Sequence, residues 1–347
     1  MSNTVSFNIY DKVRIKVYAE KSQNRVLKKL RVEYSFFETE DLSEADIIVR
    51  IGKINKLPSD YVKIDGKYLI GDDWIYLFDS YKVAKWNLYI QFNSDCISLT
   101  VDPNFFACDL IPPIILTPLI GFWLNKKGLS LVHAAGIGFE DEAVLITGFG
   151  GSGKTSVTLR MLERGLKIFG DDHVILEDGK VLAFPTALSL FSYNIPVENE
   201  WIKRYKIKLR LNSLIHKFTF GYIYPVTKAQ IDPRLVKNCG KLEKVILIEP
   251  SNREECNIEE IEKRELVESW IRNILYDSIY LNKYLCAFSY VNSAFLNYLH
   301  DLKETLLRNL ASCRQFIRIT FPQNNVEKLF ETVLHVIEYE GCKLQFP

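Results

Sequence analysis

Alternating hydrophobic and polar positions run through the first 130 residues and predict a sheet of short strands. Val5–Tyr10 and Val13–Tyr18 flank Asp11-Lys12, which favours a β-hairpin. Asp65-Gly66 separates two further apolar segments and is a strong two-residue turn signal. A short helix is expected over Gln23–Arg31. This region contains no chemical motif, and we interpret it as a scaffold or a partner-docking domain.

The hydrophobic pattern changes near Leu131. Ala143–Thr147 is a continuous apolar run of the kind found in buried strands, and Ser156–Arg164 has helical spacing. Gly165 stands where a left-handed C-cap would end that helix, and Lys167–Gly170 is expected to be the next strand. This succession of strands and helices predicts an α/β (α+β) domain with a mixed sheet.

We expect two domains, a smaller mainly-β domain at 1–128 and an α/β domain at 129–347. The second should also contain a hairpin, two strands and two helices: Val174–Leu176 with Val181–Phe184, Lys244–Ile248, Phe316–Phe321, Glu262–Leu275 and Val326–Ile337.

The composition of the chain argues against several classes of protein. The 347 residues are 48% hydrophobic and 25% charged, as in ordinary globular proteins, and the formal net charge of +1 argues against nucleic-acid binding. Seven cysteines without a CxxC pair indicate reduced thiols. The longest apolar run, Leu110–Leu124, is short and contains prolines, so no membrane span is expected. Without a secretory signal pattern at the N-terminus, the expected compartment is the cytoplasm.

The glycine-rich segment after Ala143–Thr147 fits the phosphate-binding pattern Gly-x-x-x-x-Gly-Lys-Thr, the P-loop or Walker A motif. Its glycines allow positive φ angles, so backbone N–H groups can point at phosphate oxygens at the positive end of a helix. Lys154 supplies a cation to the outer phosphates, and the Thr155 hydroxyl can bind Mg²⁺. The residues predicted to bind ATP are Gly148, Phe149, Gly150, Gly151, Ser152, Gly153, Lys154, Thr155 and Ser156.

An acidic pair, Asp171-Asp172, follows the strand after the P-loop helix. Neighbouring strand ends lie side by side, so the pair is expected next to the phosphates. One carboxylate can hold Mg²⁺, and the other can accept a proton from an attacking hydroxyl. No neighbouring motif places the pair Asp72-Asp73 next to the P-loop, and we interpret it as a surface turn.

His133 precedes the P-loop strand, where its imidazole could reach the phosphates or orient an aspartate. The other four histidines, His173 among them, are interpreted as structural. Lys228, Arg234 and Lys241 could complete the phosphate shell, but solvated surface charges are the expected role.

Together, His133, Gly148–Thr155, Gly165 and Asp171-Asp172 resemble the catalytic domain of HPr kinase/phosphorylase and the wider HPr-kinase-like group, whose fold is related to phosphoenolpyruvate carboxykinase. The resemblance is strong over Leu131–Phe184 and absent before Leu110. It implies that the histidine lies near the transferred phosphate and that the aspartates bind metal and transfer a proton. The proline-, glycine- and arginine-containing segment of the bifunctional enzymes is not found, so the chain resembles the divergent HPr-kinase-like proteins, some of which phosphorylate a serine hydroxyl.

The predicted function is transfer of the γ-phosphoryl group of ATP to a hydroxyl of a protein, a peptide or a small amino-acid-like alcohol, with ATP and Mg²⁺ as cofactors. The predicted catalytic residues are Asp172 as base, Asp171, His133 and Lys154, and the predicted metal ligands are Thr155 and Asp171. Two alternatives stay open: a nucleotide-gated switch that phosphorylates no acceptor, and a carboxykinase-like enzyme acting on a small carboxylated metabolite. Assembly into a homo-oligomer is compatible with the sequence.

Overall fold

The computed structural model of the protein describes residues 3–40, 42–190, 203–218, 226–293, 296–323 and 325–338. The chain forms two compact units. The first contains Met1–Gly128 with Leu275–Leu302, and the second contains Leu129–Ile274 with Lys303–Pro347. The boundaries predicted above, 1–128 and 129–347, assign Leu275–Leu302 to the second domain, whereas in the structure this segment belongs to the first compact unit.

The first unit is built on a nine-stranded sheet of order β3-β1-β2-β4-β9-β8-β7-β6-β5. Most neighbours pair antiparallel, but β2 with β4 and β4 with β9 are parallel, so the sheet is mixed. Its strands are β1 (Thr4–Ile9), β2 (Val13–Ala19), β3 (Glu38–Thr39), β4 (Ile47–Ile51), β5 (Val62–Ile64), β6 (Tyr68–Ile70), β7 (Trp74–Tyr81), β8 (Ala84–Phe92) and β9 (Ile97–Pro103).

Both predicted hairpins of this unit are confirmed. β1 and β2 pair antiparallel around Tyr10 and Asp11, and β5 and β6 pair around Asp65 and Gly66, with all four turn residues at positive φ. The alternation in β2 buries every second side chain, beginning at Val13, which is the pattern of a sheet with one face toward the core.

The helices begin and end as follows: α1 (Asn24–Glu33), α2 (Thr117–Lys126), α3 (Lys154–Glu163), α4 (Lys206–Phe218), α5 (Lys263–Asp277), α6 (Ile279–Phe288), α7 (Tyr298–Asn309) and α8 (Val326–Glu338). The apolar run at 110–124 forms a π-helical turn, Ile111–Leu116, that continues into the buried helix α2. In the part of the chain that the structure describes, no helix has both the length and the apolar character needed to cross a membrane.

The second unit contains a second mixed sheet. Along its main path the order is β10-β14-β15-β18-β12-β11-β13, and β20 joins β18 and β19. The strands are β10 (Ser130–Val132), β11 (Ala134–Phe139), β12 (Glu142–Thr147), β13 (Lys167–Gly170), β14 (Val174–Glu177), β15 (Lys180–Ala183), β18 (Cys239–Ser251), β19 (Asn257–Glu260) and β20 (Gln315–Pro322), while β16 (Leu188–Leu190) and β17 (Thr227–Ala229) form a separate pair. The fold is therefore mixed α/β, which confirms the fold class at that level.

The strand before the glycine-rich loop and the strand before the acidic pair are not direct neighbours. β11 lies between β12 and β13 and pairs antiparallel with both. Because two antiparallel steps restore the direction, β12 and β13 run the same way and end at the same edge of the sheet. The ends of β12 and β13 were expected to lie side by side. They lie at the same edge of the sheet, but β11 separates them.

Candidate functional site

The loop between β12 and α3 is shaped by its glycines. Gly151 and Gly153 have φ angles of +81° and +98°, in the left-handed region that glycine enters without strain. A Cβ atom on Gly148 would lie 2.5 Å from the carbonyl oxygen of Ile248, so no larger residue fits between the loop and β18. The chain therefore bends sharply just before the N-terminus of a helix, a geometry in which backbone N–H groups bind anions.

The remaining residues of the loop differ in solvent exposure. The Ser152 amide donates a hydrogen bond to the Phe149 carbonyl at 3.1 Å, while the Phe149 side chain is exposed. Space is also open where a Cβ of Gly150 would point. The Ser152 hydroxyl oxygen is buried and has no hydrogen-bond partner among the described residues, and Ser156 lies half-buried in the first turn of α3.

Lys154 is the first residue of α3, and only 5% of it is exposed. Its ammonium group donates hydrogen bonds to the carbonyl oxygens of Gly148 at 2.7 Å and Phe149 at 3.1 Å. The side chain therefore folds back across the loop that precedes it. A buried ammonium at this position gives the loop a positive charge beside its backbone amides.

The predicted metal ligands Thr155 and Asp171 lie together. The Thr155 hydroxyl donates a hydrogen bond to Asp171 Oδ2 at 2.8 Å, which links the start of α3 to the end of β13. Asp171 is 2% exposed, and its other oxygen, Oδ1, is buried without a hydrogen-bond partner in the described ranges. One carboxylate oxygen is thus held by threonine, and the second is a buried acceptor.

The two neighbouring aspartates have different electrostatic surroundings. Burial, together with the charge of Asp172, raises the pKa of Asp171 above its ordinary value, although the hydrogen bond from Thr155 opposes this. Burial acts on Asp172 as well, but the charges of His133, Lys228 and other cations hold the pKa of Asp172 below its usual range. Asp171 therefore keeps its proton to a higher pH than Asp172 does.

The pairing of β10 with β14 and of β11 with β13 explains why His133 is near this pair. Val132 pairs with Val174, and Gly136 pairs with Gly170, so the residues between them lie opposite each other in the same register. His133 is thereby placed opposite His173, and the centres of the two imidazole rings are 5.4 Å apart. The His133 carbonyl also accepts a hydrogen bond from the hydroxyl of Thr147, the last residue of β12.

His173 and Lys228 were interpreted from the sequence as structural and surface residues, yet their charges act on Asp172. Lys228 lies in the short strand β17, which the sequence pattern did not predict. The signal that identifies both residues is tertiary: strand register for His173, and the placement of β17 for Lys228. Arg234 and Lys241 differ from them, because both are largely exposed and pair with Asp232 and Glu243.

A magnesium ion fits the oxygen atoms present. Mg²⁺ is usually held by one or two protein carboxylates, with water and substrate phosphates completing its shell. The unpartnered Oδ1 of Asp171 and the nearby Thr155 hydroxyl are ligands of this kind. Within the described parts of the chain, no cluster of three or more His, Cys, Asp or Glu side chains could hold a metal ion by itself. The site therefore suits a cation shared with a phosphate ligand.

Comparison with known proteins identifies no family. No protein-family model matches the chain, and no curated protein matches it. Among solved structures, the HPr(Ser) kinase/phosphatase from Coxiella burnetii matches 61% of this chain and 99% of its own, with 14% sequence identity and a TM-score of 0.25. A similarity at this level carries no argument about fold or activity.

Proposed function

We propose that the chain is an ATP-dependent phosphotransferase with a hydroxyl group as acceptor, of the kind found in the HPr-kinase-like group. The observation that carries the proposal is the hydrogen bond between Thr155 and Asp171, with the ionised Asp172 beside it. It joins a loop suited to phosphate to two carboxyl groups that lose their protons in different pH ranges. Such a combination supplies the positioning and charge stabilisation on which phosphoryl transfer depends.

Each side chain has a defined task in this reaction. Backbone N–H groups of 149–154 and the Lys154 ammonium bind the β- and γ-phosphates. Thr155 and Asp171 would hold Mg²⁺, which when bound neutralises phosphate charge. Asp172 accepts the proton of the acceptor hydroxyl while the oxygen of that hydroxyl forms a bond to the γ-phosphorus. The bond from that phosphorus to the bridging oxygen breaks, and its electron pair leaves with ADP.

His133 and Lys228 are positioning residues in this scheme. The charge of Lys228, and that of His133 when its imidazole is protonated, favours the carboxylate form of Asp172 and so keeps it able to accept a proton. The pairing of β10 with β14 places His133, in the connection between β10 and β11, opposite His173, the residue that follows Asp172. In this proposal the imidazole orients Asp172, and Asp172 is the base.

The test is transfer of label from γ-labelled ATP with Mg²⁺ and cell extract. We expect label on an acceptor with the wild-type protein and a loss of about 100-fold or more with Asp172→Asn. The matched control is Asp73→Asn, an aspartate that follows a strand of the first unit, which should retain full transfer. Release of free phosphate without a labelled acceptor would support the nucleotide-gated switch instead. Turnover of a keto acid without labelling would support the carboxykinase-like alternative.

A further inference from the structure

The chain between Trp201 and Ile231 has an unusual charge. It contains no aspartate or glutamate, whereas its lysines and arginines are Lys203, Arg204, Lys206, Lys208, Arg210, Lys217 and Lys228. The formal net charge of the whole protein is only +1, so this segment is a local concentration of positive charge. Four of these seven cations, Lys206, Lys208, Arg210 and Lys217, lie in helix α4.

One side of α4 packs against its own unit. Leu209 is fully buried, and the Asn212 side-chain amide donates a hydrogen bond to the hydroxyl of Thr227 in β17 at 2.9 Å. These two residues are three apart and lie on one face of the helix. This attachment fixes which side of α4 faces solvent.

The opposite side of α4 is apolar and exposed. Ile207, Leu211, Leu214 and Phe218 are 75%, 55%, 50% and 80% exposed. Their spacing of three and four residues aligns them as one stripe along the helix. Isolated exposed apolar side chains are ordinary, but an aligned stripe on one helix marks an interaction surface.

Cations border the apolar stripe on both sides. At 100° per residue, Lys208 falls on one flank of the stripe and Arg210 and Lys217 fall on the other. All three are exposed and form no ion pair with any residue that the structure describes. A partner matching this surface has an apolar stripe flanked by negative charges, as an acidic amphipathic helix does.

Helix α4 is attached to β17, the short strand that also carries Lys228. Thr227, which accepts the hydrogen bond from α4, is followed by Lys228, whose charge acts on Asp172. Strand β17 therefore links the proposed docking surface to the surroundings of the proposed base. This placement favours a phosphoryl acceptor over an anionic membrane, because only an acceptor has to bring a hydroxyl to Asp172.

We infer that the acceptor is a protein or peptide that docks on α4 through an acidic amphipathic segment and presents its hydroxyl beyond that segment. The inference rests on the proposed function, since it names the acceptor of that reaction. Docking raises the effective concentration of the hydroxyl at Asp172 without adding contacts to the reacting groups. The surface therefore acts on KM and leaves kcat nearly unchanged.

The binding test uses two fluorescein-labelled helical peptides. Each has leucines along one face and a serine beyond the helix, and the flanking positions carry glutamate in one peptide and lysine in the other. Fluorescence anisotropy with the full chain should show binding of the glutamate peptide alone, weakened by added salt. K208E/R210E should weaken this binding about tenfold, because two flanking cations become anions. The control R264E/R272E makes the same change at exposed positions of α5 and should bind within about twofold of wild type.

Three results would overturn the inference. The first is equal binding of the two peptides, or no effect of K208E/R210E. The second is binding to phosphatidylglycerol vesicles that depends on α4 while neither peptide binds, because a lipid surface would then be the occupant. The third is a multimer by light scattering that K208E/R210E dissociates, because a second copy of the chain would then cover the stripe.

Label transfer to the serine of the glutamate peptide separates this inference from the proposed function. We expect K208E/R210E to raise KM about tenfold at nearly constant kcat, with unchanged ATP affinity by isothermal titration. Transfer that is insensitive to K208E/R210E would overturn the docking surface and leave the kinase intact. Peptide binding that depends on α4, without transfer of label to any acceptor, would support the docking surface and contradict the kinase.

Discussion

Two segments of the protein have nearly the same local sequence and different surroundings. Ile70–Ile75 and Phe169–Val174 each contain an apolar residue, a glycine, two aspartates, a ring-bearing residue and a β-branched residue. Both lie between two strands. In the first unit the strands are β6 and β7, which pair with each other, so Asp72-Asp73 is the turn of a hairpin. In the second unit β13 pairs with β11, and β14 pairs with β10 and β15, so Asp171-Asp172 connects strands with different partners.

The neighbours of the two aspartate pairs differ accordingly. Asp72 is exposed, and Asp73 accepts a hydrogen bond from the Gln91 side chain at 2.9 Å. Asp171 is instead buried against Thr155, and Asp172 lies among cations. The comparison shows that a Gly-Asp-Asp sequence does not by itself fix the surroundings of its aspartates. In the second unit the strand order brings Thr155, at the start of α3, to Asp171.

The largest expected effect comes from removing Lys154, a cation whose charge acts on both aspartates of the second pair. Lys154→Ala should weaken ATP binding about 100-fold, because hydrogen bonds to charged groups contribute about 1.5–3 kcal/mol each. Isothermal titration measures the affinity, and circular dichroism checks that the fold is retained. Lys63→Ala, at an exposed lysine of β5 in the first unit, is the control and should bind ATP as wild type does. Unchanged affinity in Lys154→Ala would contradict the assignment of the loop.

A smaller effect is expected on the stability of the fold, because Asp171 is buried whereas Asp72 is exposed. The folded-state pKa of Asp171 is raised above its unfolded value, so wild-type stability is fully present below the ordinary carboxyl range and falls as pH rises through the folded-state pKa. Asp171→Asn removes the carboxyl group that ionises, and with it the loss of stability at high pH. The amide oxygen of the new side chain can still accept the hydrogen bond from the Thr155 hydroxyl. It should increase the free energy of unfolding by about 1–3 kcal/mol at pH 8 and change it little at pH 4.

Chemical denaturation of the ligand-free protein at the two pH values measures this difference. Asp72→Asn, in the exposed turn of the first unit, is the matched variant and should leave stability unchanged at both. A loss of stability in Asp171→Asn at pH 8 would show that the ionised carboxylate is stabilised in the fold, contrary to the surroundings described here.

The smallest effect concerns Lys228. Its charge lowers the pKa of Asp172, so Lys228→Met should raise that pKa and move the acidic limb of the kcat/KM profile to higher pH by less than about one unit. Lys228→Arg keeps the charge and should restore the profile. Label transfer measured from pH 3 to pH 7, with circular dichroism to check that the fold is retained, tests both variants, because the pKa of Asp172 lies below the usual aspartate range. An unshifted limb in Lys228→Met would separate Lys228 from the proposed base.

Local sequence signals located most elements of the second unit. The helix predicted at Ser156–Arg164 is α3, and the strand predicted at Phe316–Phe321 is β20, because each has a clear apolar period. Gly165 has a φ of +81°, as expected for the residue after a helix C-terminus. The boundaries shifted by one or two residues, which is normal for helix ends.

Other features depended on contacts between residues distant in sequence. Nothing local indicates that β11 separates β12 from β13, or that β10 and β14 place His133 opposite His173. The strand β17 has only three residues, too few for periodicity to reveal, so Lys228 was interpreted as a surface charge. The functions of Lys154, Thr155, Asp171, Asp172 and His133 stay predictions that the variants above test.

Residue types and spacing alone specified a glycine loop between a strand and a helix, since positive φ angles and apolar periods are local properties of the chain. Asp171-Asp172 and Asp72-Asp73 are locally alike, and only the position of the first pair, one helix and one strand after the glycine loop, favoured it over the second. Strand pairing and burial gave the two pairs their different surroundings. They placed one aspartate pair in a hairpin turn and the other beside Thr155, where low solvent exposure and nearby charges set which carboxyl group keeps its proton.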